Sequence, residues 1–94
     1  MQQDDRTRAR VRVSGRVQGV SYRAWTEREA RARGLAGHVR NRHDGSVEAV
    51  FSGPEAAVDA MLAACREGPP GARVTDVAAT GRAEVASAGF RILP

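Results

Sequence analysis

Apolar and polar residues alternate strictly near the start of the chain. Between residues 8 and 14, Ala9, Val11 and Val13 fall on one side of an extended chain, and arginines and a serine fall on the other. The same period of two returns over residues 46–52. A period of two is typical of a strand with one buried face. Each segment is therefore predicted to be a half-buried β-strand.

Two segments have helical spacing instead. Residues 22–33 are predicted to form a helix with Ser21 as its N-cap and Gly34 at its end. Its apolar stripe is thin and consists of residues one turn apart: Tyr22, Thr26 and Ala30. A second helix is predicted to open at Gly53-Pro54, with the proline in the first helical position. Its stripe is broader and more apolar: Ala57, Val58, Met61, Leu62 and Cys65.

The remaining elements complete the order β-α-β-β-α-β. Residues 36–42 are a predicted second strand, and Asp44-Gly45 is a strong hairpin signal before the third. A fourth strand is expected within residues 72–80, and residues 90–92 are a candidate short terminal strand. This order predicts the ferredoxin-like α+β sandwich, an antiparallel sheet covered on one face by two helices. That fold has many functions, so the function must be argued from the site.

Length and composition restrict the class of protein. The chain has 94 residues, which is enough for one domain, expected over residues 8–94 after a flexible polar segment at 1–7. It has no run of roughly 18 apolar residues and no N-terminal secretion signal, so we expect no membrane association and a cytoplasmic location. The single cysteine, Cys65, forms no internal disulfide. His38 and His43 have no thiol or carboxylate neighbours at metal-like spacing, so neither a metal nor a cofactor is expected.

The net charge of +4 comes from fifteen basic residues, all of them arginine. They are scattered along the sequence, whereas nucleic-acid-binding proteins usually cluster their basic residues. An RNA-binding module of the same fold would also need an exposed aromatic pair on its central strands, which is missing. We therefore expect no nucleic-acid partner.

A glycine-containing loop joins the first strand to the first helix. Its glycines, Gly15 and Gly19, permit backbone conformations in which several N–H groups converge on one anion near the helix N-terminus. Arg23 follows in the first helical turn, and its planar guanidinium can donate to two phosphate oxygens. The loop has no Gly-Lys pair, which disfavours nucleotide hydrolysis. By itself the loop is also compatible with a simple strand-to-helix connection.

Asn41, the only asparagine of the chain, is predicted to lie near this loop. In the strand order 4-1-3-2 the end of the second strand reaches the same edge of the sheet, roughly 10 Å from the first strand. Asn41 shares parity with Val39, so both should face the helices. Its amide both donates and accepts hydrogen bonds, which suits it to hold a water molecule. The alternative is ordinary turn chemistry beside a hairpin.

These two segments resemble a known family. V-S-G-R-V-Q-G-V-S-Y-R, followed by G-L-A-G-H-V-R-N-R-H-D-G-S-V-E, is similar to the two signatures of the acylphosphatases. The similarity runs from about Val11 to Cys65, and more weakly to the terminal F-R-I. Departures are Tyr22 where phenylalanine is commoner, His38 where tryptophan is usual, and Ser21 where some members have cysteine.

The resemblance implies a metal-free hydrolase of carboxyl-phosphate mixed anhydrides. It implies that Arg23 binds phosphate, that Asn41 positions the attacking water, and that a phosphate-binding loop surrounds the anion: Gly15, Arg16, Val17, Gln18, Gly19 and Val20. A small acyl phosphate is then the substrate, and inorganic phosphate or sulfate should occupy the same site. An accessory domain like the front of hydrogenase-maturation carbamoyltransferases is an alternative, but we expect a free-standing monomeric enzyme.

Overall fold

The computed structural model describes residues 6–81 and 89–94. Five strands and two helices follow one another along the chain: β1 (Arg6–Arg16), α1 (Tyr22–Ala32), β2 (Ala36–Asn41), β3 (Val47–Pro54), α2 (Glu55–Glu67), β4 (Arg73–Gly81) and β5 (Phe90–Ile92). β1 begins at Arg6, two residues before Arg8, the expected first residue of the domain. The rest of that N-terminal segment, residues 1–5, lies outside the described residues, as do residues 82–88.

The strands form one sheet in the order β4-β1-β3-β2-β5. The first four are antiparallel neighbours in the expected order. β5 extends the sheet beyond β2 and runs parallel to it, with Phe90 opposite Gly37 and Ile92 opposite Val39. The ferredoxin-like α+β fold is therefore confirmed, and the expectation of a purely antiparallel sheet needs one correction, because the fifth strand makes the sheet mixed.

Both helices pack on one face of the sheet, where alternation along the strands places the apolar side chains. Val11 and Val13 of β1 are fully buried there, together with Phe51 of β3. α1 buries the three residues of its predicted stripe, and α2 buries Val58, Met61 and Cys65. Within the described residues, neither helix has the length and apolar character needed to cross a membrane.

The first helix begins at Tyr22 as predicted, but the details at both helix N-termini differ from the predictions. Pro54 has ψ 140° and is the N-cap of α2, so the helix begins at Glu55 and the proline stays at the end of β3. Ser21 does precede α1, but with φ 65° and ψ 25° it is left-handed, and its side chain makes no capping hydrogen bond. An N-cap side chain reaches the helix from an extended backbone, and here the loop turns too sharply for that conformation.

The other face of the sheet gathers arginines that are far apart in sequence. Arg10 of β1 and Arg40 of β2 both donate to the carboxylate of Glu48 on β3, over 3.0 and 2.9 Å. Arg42 Nη1 lies 3.5 Å from Oε2 of the same carboxylate. Basic residues that look scattered in the sequence are thus collected by strand pairing around one buried acid.

Candidate active site

A cavity of about 220 Å³ lies where the loop after β1 meets the end of β2. It is bounded by the loop, the first turn of α1, the last residue of β2 and the end of β5. Its lining residues are Val17, Gly19, Ser21, Tyr22, Arg23, Ala24, Asn41 and Ile92. The fold therefore brings the predicted loop, Arg23 and Asn41 to one cavity.

The loop has a backbone that few residues can adopt. Gly15 has φ 118° and sits at a register shift between β1 and β4, where a Cβ would lie 2.1 Å from the carbonyl oxygen of Arg73. Val17 is fully buried and anchors the loop in the core. Gly19 and Ser21 follow with φ 76° and 65°. Left-handed residues at these two places turn the chain tightly before α1, so that the loop curves around the cavity.

Arg23 lines the cavity and is held by the residue that follows β5. Its Nη1 donates to the carbonyl oxygen of Leu93 over 3.2 Å, and the Leu93 N–H donates to the carbonyl oxygen of Val39 over 2.8 Å. Among the described residues no carboxylate lies within ion-pair distance of Arg23, and the first turn of α1 contains no acid. Its positive charge is thus available to an anion in the cavity.

Asn41 is the last residue of β2 and pairs with Val47 of β3. Its neighbour at i−2, Val39, is fully buried beneath the helices. Asn41 itself is half-buried and lines the same cavity as Val17 and Gly19 of the loop. Asn41 therefore lies at the edge and on the face of the sheet that connection order and strand parity predict.

Only two of the six predicted loop residues line the cavity. Val17 and Gly19 line the cavity. Gly15 belongs to the sheet, Arg16 ends β1 with an exposed side chain, and Val20 packs against the core.

The side chain of Gln18 points elsewhere. It forms part of the wall of a neighbouring cavity of about 670 Å³, together with Arg42 and His43. Its Nε2 donates to the carbonyl oxygens of Arg42 and Ser46.

Four lining residues were not expected. Ser21, Tyr22 and Ala24 adjoin predicted site residues in sequence, and their places follow from the left-handed turn at Ser21. Ile92 enters because β5 pairs in parallel beside β2. No periodicity in so short a strand could indicate its direction.

The titratable groups near the cavity are poorly suited to acid–base chemistry. Tyr22 donates its hydroxyl proton to the carbonyl oxygen of Cys65 over 2.7 Å, and burial raises the pKa of Tyr22. Burial likewise raises the pKa of the Cys65 thiol to about 11, as expected for an inert core cysteine. His38 lies on the opposite face of the sheet, and burial lowers its pKa. The described residues contain no group of three or more His, Cys, Asp or Glu side chains placed to hold a metal ion.

Fold and cavity together define a class: a ferredoxin-like α+β protein in which one arginine and one asparagine line the same cavity as a glycine-containing strand–helix loop. Comparison with known proteins identifies the family. The sequence model of the acylphosphatases matches residues 9–92, and the chain belongs to the acylphosphatase family.

Individual relatives agree with this assignment. The chain is 61% identical to an acylphosphatase of Rhodospirillum rubrum over 84 residues, which cover 89% of this chain and 92% of that one. It superposes on the crystal structure of acylphosphatase from Bacillus subtilis with a TM-score of 0.87 and 41% identity, covering 93% and 98% of the two chains. It also resembles 12% of full-length HypF in its phosphate- and nucleotide-bound form, with 99% of this chain covered, a TM-score of 0.82 and 21% identity. That last likeness concerns the fold alone.

Proposed function

We propose that this chain hydrolyses acyl phosphates to a carboxylate and inorganic phosphate, with Arg23 and Asn41 as its catalytic side chains. The observation that carries the proposal is the single cavity lined by Val17, Gly19, Arg23 and Asn41. Membership of the acylphosphatase family gives the reaction and its metal independence. The roles of the individual residues are our inference from the geometry.

The phosphoryl group binds between the loop and Arg23. Backbone N–H groups around residues 16–20, together with the positive end of α1, stabilise its negative charge. The Arg23 guanidinium, with no acidic partner among the described residues, adds a full positive charge and a planar pair of donors. These donors are fixed before substrate arrives, so they stabilise charge in the transition state without reorganisation.

The chemical step needs little more than correct placement. The Asn41 amide holds a water molecule whose oxygen attacks phosphorus in line with the leaving group. The bond between phosphorus and the acyl oxygen breaks, and its electron pair leaves with the carboxylate. A carboxylate is stable at neutral pH, so no general acid is required. We propose that the bound phosphoryl group takes the water proton.

The expected partners follow from these proposed contacts. Inorganic phosphate or sulfate should occupy the cavity and compete with substrate, because the proposed contacts recognise the tetrahedral anion. We also propose a monomer that works in the cytoplasm and has no nucleic-acid partner. The four aromatic residues of the chain support that last point, since Tyr22, Phe51 and Phe90 are buried in the core and Trp25 packs against it.

Two substitutions test the roles of the side chains. Arg23→Gln should weaken phosphate binding and lower turnover together, because Arg23 contacts the phosphoryl group in both the ground state and the transition state. Asn41→Ala should keep most of the affinity for phosphate and lose roughly two or more orders of magnitude in kcat, because positioning of the water matters as the reaction begins. Arg28→Gln, an exposed residue of the same helix, is the matched charge control.

The measurements are benzoyl phosphate hydrolysis in EDTA, its inhibition by phosphate, and calorimetric titration with phosphate. A circular-dichroism melt shows whether each variant is folded. Folded Asn41→Ala with the parent turnover would make Asn41 a turn residue and contradict the mechanism. Phosphate inhibition that leaves the apparent KM unchanged would contradict the proposed place of the anion.

A further inference from the structure

The Gln18 side chain spans from the phosphate loop to the β2–β3 hairpin. Gln18 is half-buried, and its Nε2 donates to the carbonyl oxygen of Arg42 over 2.8 Å and to that of Ser46 over 2.9 Å. Two carbonyl acceptors at this distance require the NH₂ end of the amide, because the oxygen end would be repelled by both. Both donor hydrogens of Gln18 are therefore used within the protein.

The two carbonyl groups that Gln18 reaches are those that close the hairpin. The Arg42 N–H donates to the Ser46 carbonyl oxygen over 2.8 Å, and the Gly45 N–H donates to the Arg42 carbonyl oxygen over 3.2 Å. Asn41 directly precedes Arg42 in the chain. The Gln18 amide thus binds the backbone one residue away from the side chain that we propose to hold water.

The sheet alone does not fix the distance between the phosphate-binding loop and Asn41. The loop continues from β1, Asn41 ends β2, and β3 lies between these two strands. The loop segment from Val17 to Val20 lies between β1 and α1, outside the strand ladder. A side chain that joins loop and hairpin directly can set their separation more closely than two successive strand pairings.

We propose that Gln18 is a positioning residue for the hydrolytic reaction. It holds the phosphate loop at a fixed distance from Asn41, so that the water on Asn41 lies in line with the bound phosphorus. This inference rests on the proposed function and adds a residue to it that does not touch the substrate. Its effect should appear in turnover, because a misplacement of about 1 Å between reacting groups can cost about 100-fold in rate.

The test is a double-mutant cycle with Asn41. Gln18→Met keeps the length of the side chain and removes both hydrogen bonds. We expect Gln18→Met to lower kcat for benzoyl phosphate by about 10-fold to 100-fold, while the inhibition constant of inorganic phosphate changes less than about 3-fold. In the Asn41→Ala background the same substitution should lower kcat by less than about 2-fold, because the amide that binds the water is already absent.

Each other outcome overturns the proposal in a recognisable way. Equal losses of kcat in both backgrounds would mean that Gln18 supports the fold in general. A loss of phosphate affinity as large as the loss of kcat would mean that Gln18 belongs to the anion-binding contacts. If Asn41→Ala alone retains the parent turnover, the proposed mechanism fails first, and this result is separate from any effect of Gln18.

A second variant restores one hydrogen bond by protonation. In Gln18→Glu the ionised carboxylate has no donor, whereas the protonated acid can donate to one of the two carbonyl oxygens. Turnover of this variant, divided by that of Gln18→Met, should rise as the pH falls through the pKa of the new carboxyl group. The cavity of about 670 Å³ that Gln18 lines also contains charged and titratable groups, namely Arg40, Arg42, His43 and Asp44. They are present in both variants, so the ratio removes their contribution, and a ratio that does not change with pH would overturn the proposal.

Discussion

Gly15 and Gly19 both have positive φ, but their surroundings differ. A Cβ on Gly15 would meet the backbone of β4 at 2.1 Å, whereas one on Gly19 would meet nothing within 4 Å. Gly19→Ala should therefore lower the free energy of unfolding by about 1 kcal/mol, the cost of a left-handed alanine. Gly15→Ala should cost at least about 3 kcal/mol, because two strands must also separate. Urea denaturation of both variants checks this, and similar losses would contradict the packing argument.

At the level of single residues, the sequence indicated those with distinctive chemistry. Arg23 and Asn41 could be predicted because strand parity and connection order bring them to one edge of the sheet. Gln18 was placed in the loop, but its bonds to the hairpin depend on the hairpin's final path, which no local pattern specifies. The left-handed Ser21 was also missed, because serine is a common N-cap and the sequence contains no sign of a sharper turn.

At the level of elements, a side chain of α1 donates a hydrogen bond to the C-terminal part of α2. The last carbonyl groups of a helix have no partner within it, and the Cys65 carbonyl of α2 accepts its hydrogen bond from the Tyr22 hydroxyl of α1. Tyr22→Phe should leave this buried carbonyl unpaired and lower the free energy of unfolding by about 1–3 kcal/mol. A thermal or urea denaturation series measures the loss. Parent-like stability would show that the bond contributes nothing.

The predicted elements agree with the structure where periodicity is long. The stripe of α1 was predicted residue by residue, and the alternation of β1 predicted its buried valines. The prediction that β3 is half-buried was wrong, because Val50 and Glu48 on the face without helices are buried as well. The parallel direction of β5 was missed because three residues cannot show a direction, which depends on where the chain returns to the sheet. The predicted start of α2 was one residue too early, because proline fits the last residue of a strand as well as the first helical position.

At the level of the whole molecule, the face of the sheet without helices is organised around one acid. Glu48 is buried, with a side chain that is only 8% exposed, and it pairs with arginines from β1 and β2 and from the start of the hairpin. Burial alone would raise the pKa of Glu48, but hydrogen bonds from Arg10 and Arg40 outweigh it and hold the pKa below its usual value. The ionised form of Glu48 therefore links three strands of the folded protein.

This arrangement predicts how stability depends on pH. Because the pKa of Glu48 is lower in the folded than in the unfolded chain, its contribution is fully present above the unfolded value and is lost as the pH falls through the folded one. The urea midpoint of the parent should thus be steady near neutrality and fall below about pH 4.5. Glu48→Gln should lose about 1–3 kcal/mol at pH 7, at the lower end for partly exposed arginines, and show a shallower acid slope. Some slope should remain, because hydrogen bonds from Ser46 also lower the pKa of Asp44. Parallel pH curves for parent and variant would show that Glu48 is not an acid-sensitive contact.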